Sequence, residues 1–369
     1  MSYALARTNE VLTRLSARLF NNLSRQSYHR AQVHQGLLEG AQASHIQMIR
    51  YQFDKKVKNS IRLLYCYNNS AGILAVGVNF TFIAAAIALS EYSAWFLPLS
   101  LLVIGSRQRA LATLLHEASH GILSRSKWLN RFLGTWVSGY LVFQTWAAYK
   151  ASHLHAHHSK LGNLAYDPDF QFYVKSGVYD AKTSEAFFWS HVARPVLLLN
   201  FFSSAFYLAR HRLLNKDSRG EIPSLVTALT ALGVIGTLCV GSKFFLLYWL
   251  LPYFTVFQII TWFIELSEHF PMVKYAKKDI EATRNRFSHA IEHFLTGMHG
   301  ENFHLVHHLF PGVPFYRLKE AHRILLGDPV YAQLNANTGG IFLSSNFAPA
   351  VIPAILSAMS TREIEGTHA

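Results

Sequence analysis

The chain has 369 residues, of which 51% are hydrophobic, 14% aromatic and only 15% charged. That length suits one large domain or two ordinary ones, and the charged fraction falls well below the roughly 25% of a soluble domain, so the composition is that of a membrane protein. The net charge is +13, but the arginines form no nucleic-acid motif and no RNP-like aromatic pattern, which argues against a nucleic-acid partner and for basic flanks around membrane spans.

Residues 1–64 are polar, basic and poor in acids. Leu5, Leu12, Leu15, Leu19 and Leu23 recur at helical spacing among Arg7, Arg14, Arg18 and Arg25. The pattern predicts a basic amphipathic helix on a membrane surface, with an Arg-rich transit peptide as the other reading. No short apolar core with a cleavage site follows, so an ordinary secretory signal is not expected.

The first span is read at Ala71–Leu89, which carries no charge. After the turn "SEYS", Trp95–Ile104 returns and is expected to continue beyond the membrane into "HEASH". Trp128–Trp146 and Pro195–Ala209 are apolar but interrupted or short. They fit interfacial, re-entrant or buried helices. Ile222–Val240 and Phe244–Ile264 are full-length and joined only by "GSK".

Lys and Arg crowd the segments before residue 70, over 107–131 and at "ARHRLLNKDSR", while both short turns are nearly uncharged. The expected fold is therefore all-α and integral to the membrane, with four transmembrane helices in two hairpins. Both termini and all polar segments lie on the cytoplasmic side. Residues 65–325 form the membrane domain, and 326–369 form a cytoplasmic tail of weak periodicity.

Histidine is the outlier, with 20 copies against two cysteines, Cys66 and Cys239. Two thiols cannot build a disulfide framework or a four-thiolate site. The histidines fall into three boxes: His116 and His120; His153, His157 and His158; His304, His307 and His308. His269 follows the last span. On a helix, residues three or four apart share a face, so His116 and His120 reach one metal, His153 and His157 do the same, and His158 points to a neighbouring site. Box three repeats the arrangement. Nine imidazoles exceed one tetrahedral zinc and suit two metal ions of about five ligands each.

HEASH alone matches the zinc-protease pattern H-E-x-x-H, but a zincin has no use for two further boxes on the same membrane face. Glu117 is then expected to orient an imidazole. A histidine-rich metal carrier would hold its ligands within the bilayer, whereas these boxes lie outside the spans.

The boxes, their order, and the phrases "GSRQRALATLLHEASHG", "HHSKLGNLAYDPDF" and "ENFHLVHHLFPGVPFYRL" resemble the integral-membrane fatty acid desaturase family, with its hydroxylase and ketolase relatives. The likeness covers roughly residues 65–325 and is closest to the bacterial single-domain branch, which implies a bacterial inner membrane. It implies four membrane helices under a cytosolic cap of helices that holds two irons, with O2 as co-substrate. One iron would draw on His116, His120 and parts of boxes two and three, the other on the remaining box histidines and His269. Some relatives place a metal-linked Asn four residues before the extra histidine. Here that position is Glu265, which leaves three roles open: binding a metal, holding a water, or pairing with Arg284 or Arg286. The family oxidises fatty acyl chains by default, and some members act on amino-acid-derived metabolites.

The chain has no "HPGG" heme stretch and no cysteine set for an iron–sulfur cluster. An external donor is therefore implied, a ferredoxin or a cytochrome b5 type with its reductase. An apolar or amphipathic substrate also needs a narrow cavity near the metals. Trp146 and Trp262 are the expected walls, each within three helical turns of a box histidine.

Overall fold

A computed structural model describes residues 48–367, with side chains to residue 361. The leucine-arginine pattern of residues 5–25 lies outside the described residues. Apart from Asn163–Ala165, residues from Met48 onward form one compact unit. The described residues are helical and contain no strand, only the isolated bridges Ile49 to Lys278 and Ser288 to Ser344.

The first hairpin pairs Ser70–Tyr92 with Leu97–Ser119. Asn68 Oδ1 accepts from Ala71 N at 2.8 Å and starts the first helix. Ser93, extended at φ −154°, ends it. Pro98 sits in the first turn of the second helix, where its missing N–H costs nothing. Between them the buried Ser100 hydroxyl donates to Ala86 O at 2.6 Å.

The second hairpin joins Ile222–Val240 to a helix running Phe244–His269. The turn uses Gly241 at φ +95°, a left-handed conformation that favours glycine. The turns of the two hairpins meet, with Lys243 Nζ 2.7 Å from Glu91 Oε2. Close approach between the hairpins rests on Gly105, where a Cβ would stand 2.6 Å from Val256 Cβ.

Three helices are long and apolar enough to cross a membrane: Ser70–Tyr92, Lys216–Val240 and Phe244–His269. The return helix Leu97–Ser119 is continuous, as the sequence predicts. Its second half carries Arg107, Arg109, His116 and Glu117, and most of it is buried in protein. The pieces Ser184–Val196 and Phe201–Leu213 bend by 68° at their junction and form a broken span or a re-entrant loop. Their exposed Trp189, Phe202 and Phe206 give that element an apolar outer surface.

One core lies between the hairpins, around Ile104, Leu111, Trp249 and Phe257. A second joins Ile61, Val306, Leu318, Leu325 and Tyr331 beside box three. Each such fully buried aliphatic side chain contributes about 1.5–3 kcal/mol. The segment after Gly327, of weak periodicity in the sequence, is packed against the rest of the chain. Tyr331 is fully buried, and the Glu292 carboxylate accepts from the backbone N–H groups of Ile341, Phe342 and Leu343 at 2.6–2.8 Å.

Candidate metal centre

Box one ends the Leu97–Ser119 helix, with His120 capping it. Box two lies on Lys150–His158, which is wound as a π-helix. It follows the short Trp146–Tyr149 helix, whose first amides are held by Glu221: Oε2 accepts from Trp146 N at 3.0 Å and Oε1 from Ala147 N at 2.9 Å. Box three lies on His304–Leu309. The chain enters it through His299 and Gly300, both in the left-handed region at φ +54° and +71°. The buried Asn285 fixes its start, its Oδ1 accepting from Leu305 N at 3.1 Å and Val306 N at 3.3 Å. His269 is the last residue of the Phe244–His269 helix.

The nine imidazoles converge in two groups. His116, His120, His153, His158 and His307 each offer a nitrogen within 4.8 Å of the others. His157, His269 and His308 form the second group on the same measure. His304 joins it, its Nε2 lying 2.9 Å from His269 Nε2 and 3.0 Å from His308 Nε2. The groups adjoin through the stacked rings of His158 and His308, 4.3 Å apart.

Box one behaves as α-helical spacing predicts. Box three does not repeat the expected arrangement: His304 shares its group with His308, four residues on, and the middle histidine, His307, goes to the other group. Box two also departs from it: His153 lies in the first group and His157 in the second, although the two also converge with Asp169 within 4.8 Å. In a π-helix the hydrogen bonds run i→i+5, so the residue five along closes the turn. His153 accordingly meets His158, Nε2 to Nε2, at 3.1 Å.

These residues fit metal ions. Burial, then neighbouring imidazoles, hold His153, His158, His304, His307 and His308 well below their ordinary pKa, so each is neutral and keeps a lone pair. Ligand nitrogens bonded at about 2.1 Å and set at right angles lie about 3.0 Å apart. The Nε2–Nε2 distances here run from 2.9 Å to 3.2 Å. His120 Nε2 is buried with no protein partner, which a metal would supply.

Carboxylates stand at the far nitrogens. His157 Nδ1 lies 3.1 Å from Asp167 Oδ1 and 3.5 Å from Asp169 Oδ2. Burial lowers the His157 pKa, but these carboxylates outweigh it and lift the group to about 9. His304 Nδ1 lies 3.3 Å from Glu268 Oε2. His116 Nδ1 is 3.4 Å from Glu117 Oε1, while Glu117 Oε2 accepts from Phe315 N at 2.9 Å. Of these ring contacts the one between Asp167 and His157 is a hydrogen bond, which fixes ring orientation and tautomer; Glu268 and Glu117 stand close to their rings without one. Histidine spacing gives no sign of Asp167, Asp169 or Glu268 as neighbours of the boxes. The signals present were the acids of "YDPDF" and the Glu beside His269.

Glu265 pairs with neither Arg284 nor Arg286. It faces the return helix, with Oε1 3.2 Å from Arg109 Nη2. Arg286 instead takes Glu268, three residues further round the same helix, at 2.9 Å.

A cavity lies beside the centre, reaching it through Asp169, 3.5 Å from His157, and Tyr149, whose ring is 5.1 Å from that of His153. Its wall includes Arg109, Tyr149, Asp169, Tyr173, Arg212, Trp262 and Glu265. Trp262 is fixed there by its indole N–H, which donates to His191 O at 2.9 Å. Trp146 does not line this cavity. Its ring lies under Arg131, with the guanidinium carbon 4.7 Å from the ring centroid. Closeness along the chain to His153 left the direction of the ring undetermined.

The fatty acid desaturase family pattern matches residues 92–338. The chain is 32% identical over 320 residues to dihydrorhizobitoxine desaturase of Bradyrhizobium elkanii, covering 84% of this chain and 90% of that one. It is 27% identical over 277 residues to the sn-1 acyl-lipid omega-3 desaturase (ferredoxin) of Synechocystis sp., covering 67% and 73% respectively. With the family pattern spanning more than half of its length, the chain belongs to the fatty acid desaturase family and is an oxidoreductase of the desaturase type.

Proposed function

We propose that this protein is an O2-dependent di-iron desaturase that forms a C=C bond in an apolar or amphipathic substrate. The substrate would be a fatty acyl chain or an amino-acid-derived metabolite. The observation that carries the reading is the pair of convergent imidazole groups in a chain of this family. His116, His120, His153, His158 and His307 would hold one iron, and His157, His269, His304 and His308 the other. The two irons, reduced from outside and supplied with O2, provide the oxidising power for removing hydrogen from unactivated carbon.

The protein's own groups position and exclude. Asp167 keeps the His157 imidazole oriented. Tyr173 and Trp262 shape the apolar part of the cavity wall.

Electrons would come from a ferredoxin or cytochrome b5 type donor. The Synechocystis relative carries "ferredoxin" in its name, and a net charge of +13 favours an acidic partner. Four spans in two hairpins in a bacterial inner membrane, with both termini and the metal groups on the cytoplasmic side, complete the proposal. The contact between Lys243 and Glu91 supports one shared outer face for both turns. The mixed polar wall of the cavity and the name of the Bradyrhizobium relative favour a substrate with polar groups.

The test compares cells expressing the chain with cells expressing His307→Ala, by metabolite profiling and metal analysis. Two irons per chain and a product lighter by two hydrogens are expected. A product heavier by one oxygen would make the enzyme a hydroxylase. One zinc per chain with peptide hydrolysis that requires Glu117 would overturn the reading.

A further inference from the structure

We infer that Glu265 and the cavity it lines form a subsite for a protonated amine, so that the substrate carries an ammonium group close to the carbons oxidised. This rests on the desaturase reading above and adds the class of substrate.

The argument begins with unequal pairing of charge. Arg212 is held by Asp169, Nη2 to Oδ1 at 3.0 Å, and by the Ser152 hydroxyl. Arg109 is shared by two carboxylates. Glu301 has the closer contact with it and also accepts from Thr113 Oγ1 at 3.0 Å. Glu265 has only the 3.2 Å contact of its Oε1, and its Oε2 takes no hydrogen bond from the described residues. One guanidinium thus faces two carboxylates, and Glu265 keeps an unpaired oxygen on the cavity wall. The Glu265 side chain is 29% exposed although the region around it is packed, because it opens into that cavity.

A second observation is independent of charge. Gln144 lines the same cavity, is 4% exposed, and its Oε1 has no hydrogen-bond partner. Thr261, one helical turn before Glu265, also lines it with an unpartnered Oγ1. Buried polar atoms are ordinarily paired, and unpaired ones call for a ligand or water. Gln144 Oε1 and Glu265 Oε2 can only accept and the Thr261 hydroxyl can accept, against one unmet donor in the wall, Arg109 Nε, which suits a ligand rich in donors. An ammonium has three N–H donors and no acceptor. The rings of Tyr173 and Trp262 in the same wall suit a cation as well.

A carboxylate ligand fits less well. It would need a free guanidinium edge. Arg212 has its terminal nitrogens taken, and Arg109 retains only Nε without a partner. Nor does Glu265 belong to any group of ligand atoms converging within 4.8 Å. It precedes His269 by four residues on the same helix, about 6 Å along its axis. An ammonium held there would therefore sit a few bonds from the carbons nearest the second imidazole group.

The test uses the full-length, iron-loaded protein in phosphatidylcholine nanodiscs. Hexylammonium, hexanoate and hexanol serve as probes, with binding read by calorimetry and iron counted per chain. Hexylammonium should bind at least tenfold more tightly than the other two. Glu265→Gln should abolish that preference with iron unchanged, Glu265→Asp should keep part of it, and Thr261→Val should weaken it several-fold.

Equal binding of all three probes, or an unaltered preference in Glu265→Gln, overturns the proposal, as does loss of iron from Glu265→Gln. Displacement of the probe by added phosphatidylethanolamine would place the amine on a lipid, and its absence on a free metabolite. Absence of two irons from the unaltered protein would instead overturn the desaturase reading.

Discussion

Asp167 offers the sharpest test of how the carboxylates serve the candidate metal centre. It is fully buried and has two duties. Its Oδ1 caps the helix Pro168–Lys175, accepting from Asp169 N at 3.0 Å and Phe170 N at 3.1 Å. The same carboxylate faces His157 Nδ1 at 3.1 Å, and Oδ2 accepts from Gly162 N at 3.0 Å. Asp167→Ala removes the cap, worth about 1 kcal/mol. It also strands two further buried donors at about 1–3 kcal/mol each. A total loss of about 3–7 kcal/mol follows, a large part of the roughly 5–15 kcal/mol of a typical fold.

Asp167→Asn keeps Oδ1, and with it the cap and an acceptor for His157. It gives up the negative charge and the Gly162 contact, which costs about 1–3 kcal/mol. Loss of such a partner lowers metal affinity about 10–100-fold. Asn should fall at the lower end and Ala at the upper end. The assay pairs iron retention across a chelator titration with the thermal midpoint in detergent. If Asn left iron retention unchanged and only Ala lowered the midpoint, Asp167 would be a helix cap alone and its role on His157 would be refuted.

Further outcomes are expected elsewhere. His157→Ala and His307→Ala should each bring iron to one per chain or fewer and abolish turnover, with the protein still in the membrane by fractionation; full iron in either would break the two-group assignment. Gly105→Ala drives a methyl into Val256 Cβ, 2.6 Å away, and should cost about 1–3 kcal/mol through overpacking. Denaturation in detergent measures this, with partial recovery in the Val256→Ala background.

Burial, then Arg107, lowers the His299 pKa to about 3. Its ordinary value is about 6.5, so the unfolded chain binds the extra proton and stability falls as pH drops from about 6.5 toward 3. His299→Gln should show a smaller fall in thermal midpoint between pH 7.5 and pH 5.5 than the unaltered chain. An equal fall in both would remove His299 from the acid response. With Cys66 and Cys239 replaced by Ser, an impermeant thiol reagent should label Ala94→Cys in intact cells. It should label Arg219→Cys only after permeabilisation; labelling of the latter from outside would break the two-hairpin topology.

The spans were legible because an uninterrupted apolar run needs no partner to be read. Ile222–Val240 was read from the sequence at the bounds the structure gives. Box histidines were legible as spacing, since i and i+4 share a face of any α-helix. The grouping of box two was not, because nothing in "KASHLHAHH" announces π winding. Contacts across distant segments were equally hidden. Arg109 and Glu265 are 156 residues apart, and only the fold brings them together. Trp146 shows the limit of counting turns from a histidine, since the count gives nearness along the chain and no direction.

Each imidazole group draws on segments that are far apart in the chain. The first takes nitrogens from residues 116 to 307, and the second from residues 157 to 308. Neither can be completed by a partial chain. At translation rates of about 5–20 residues per second, His116 must wait on the order of ten to forty seconds for His307 to emerge. Loading of metal is therefore a late event in the life of this chain. Until then the early histidines are in reach of whatever ion arrives first, and acquiring the right one depends on the timing of biosynthesis as much as on the finished geometry.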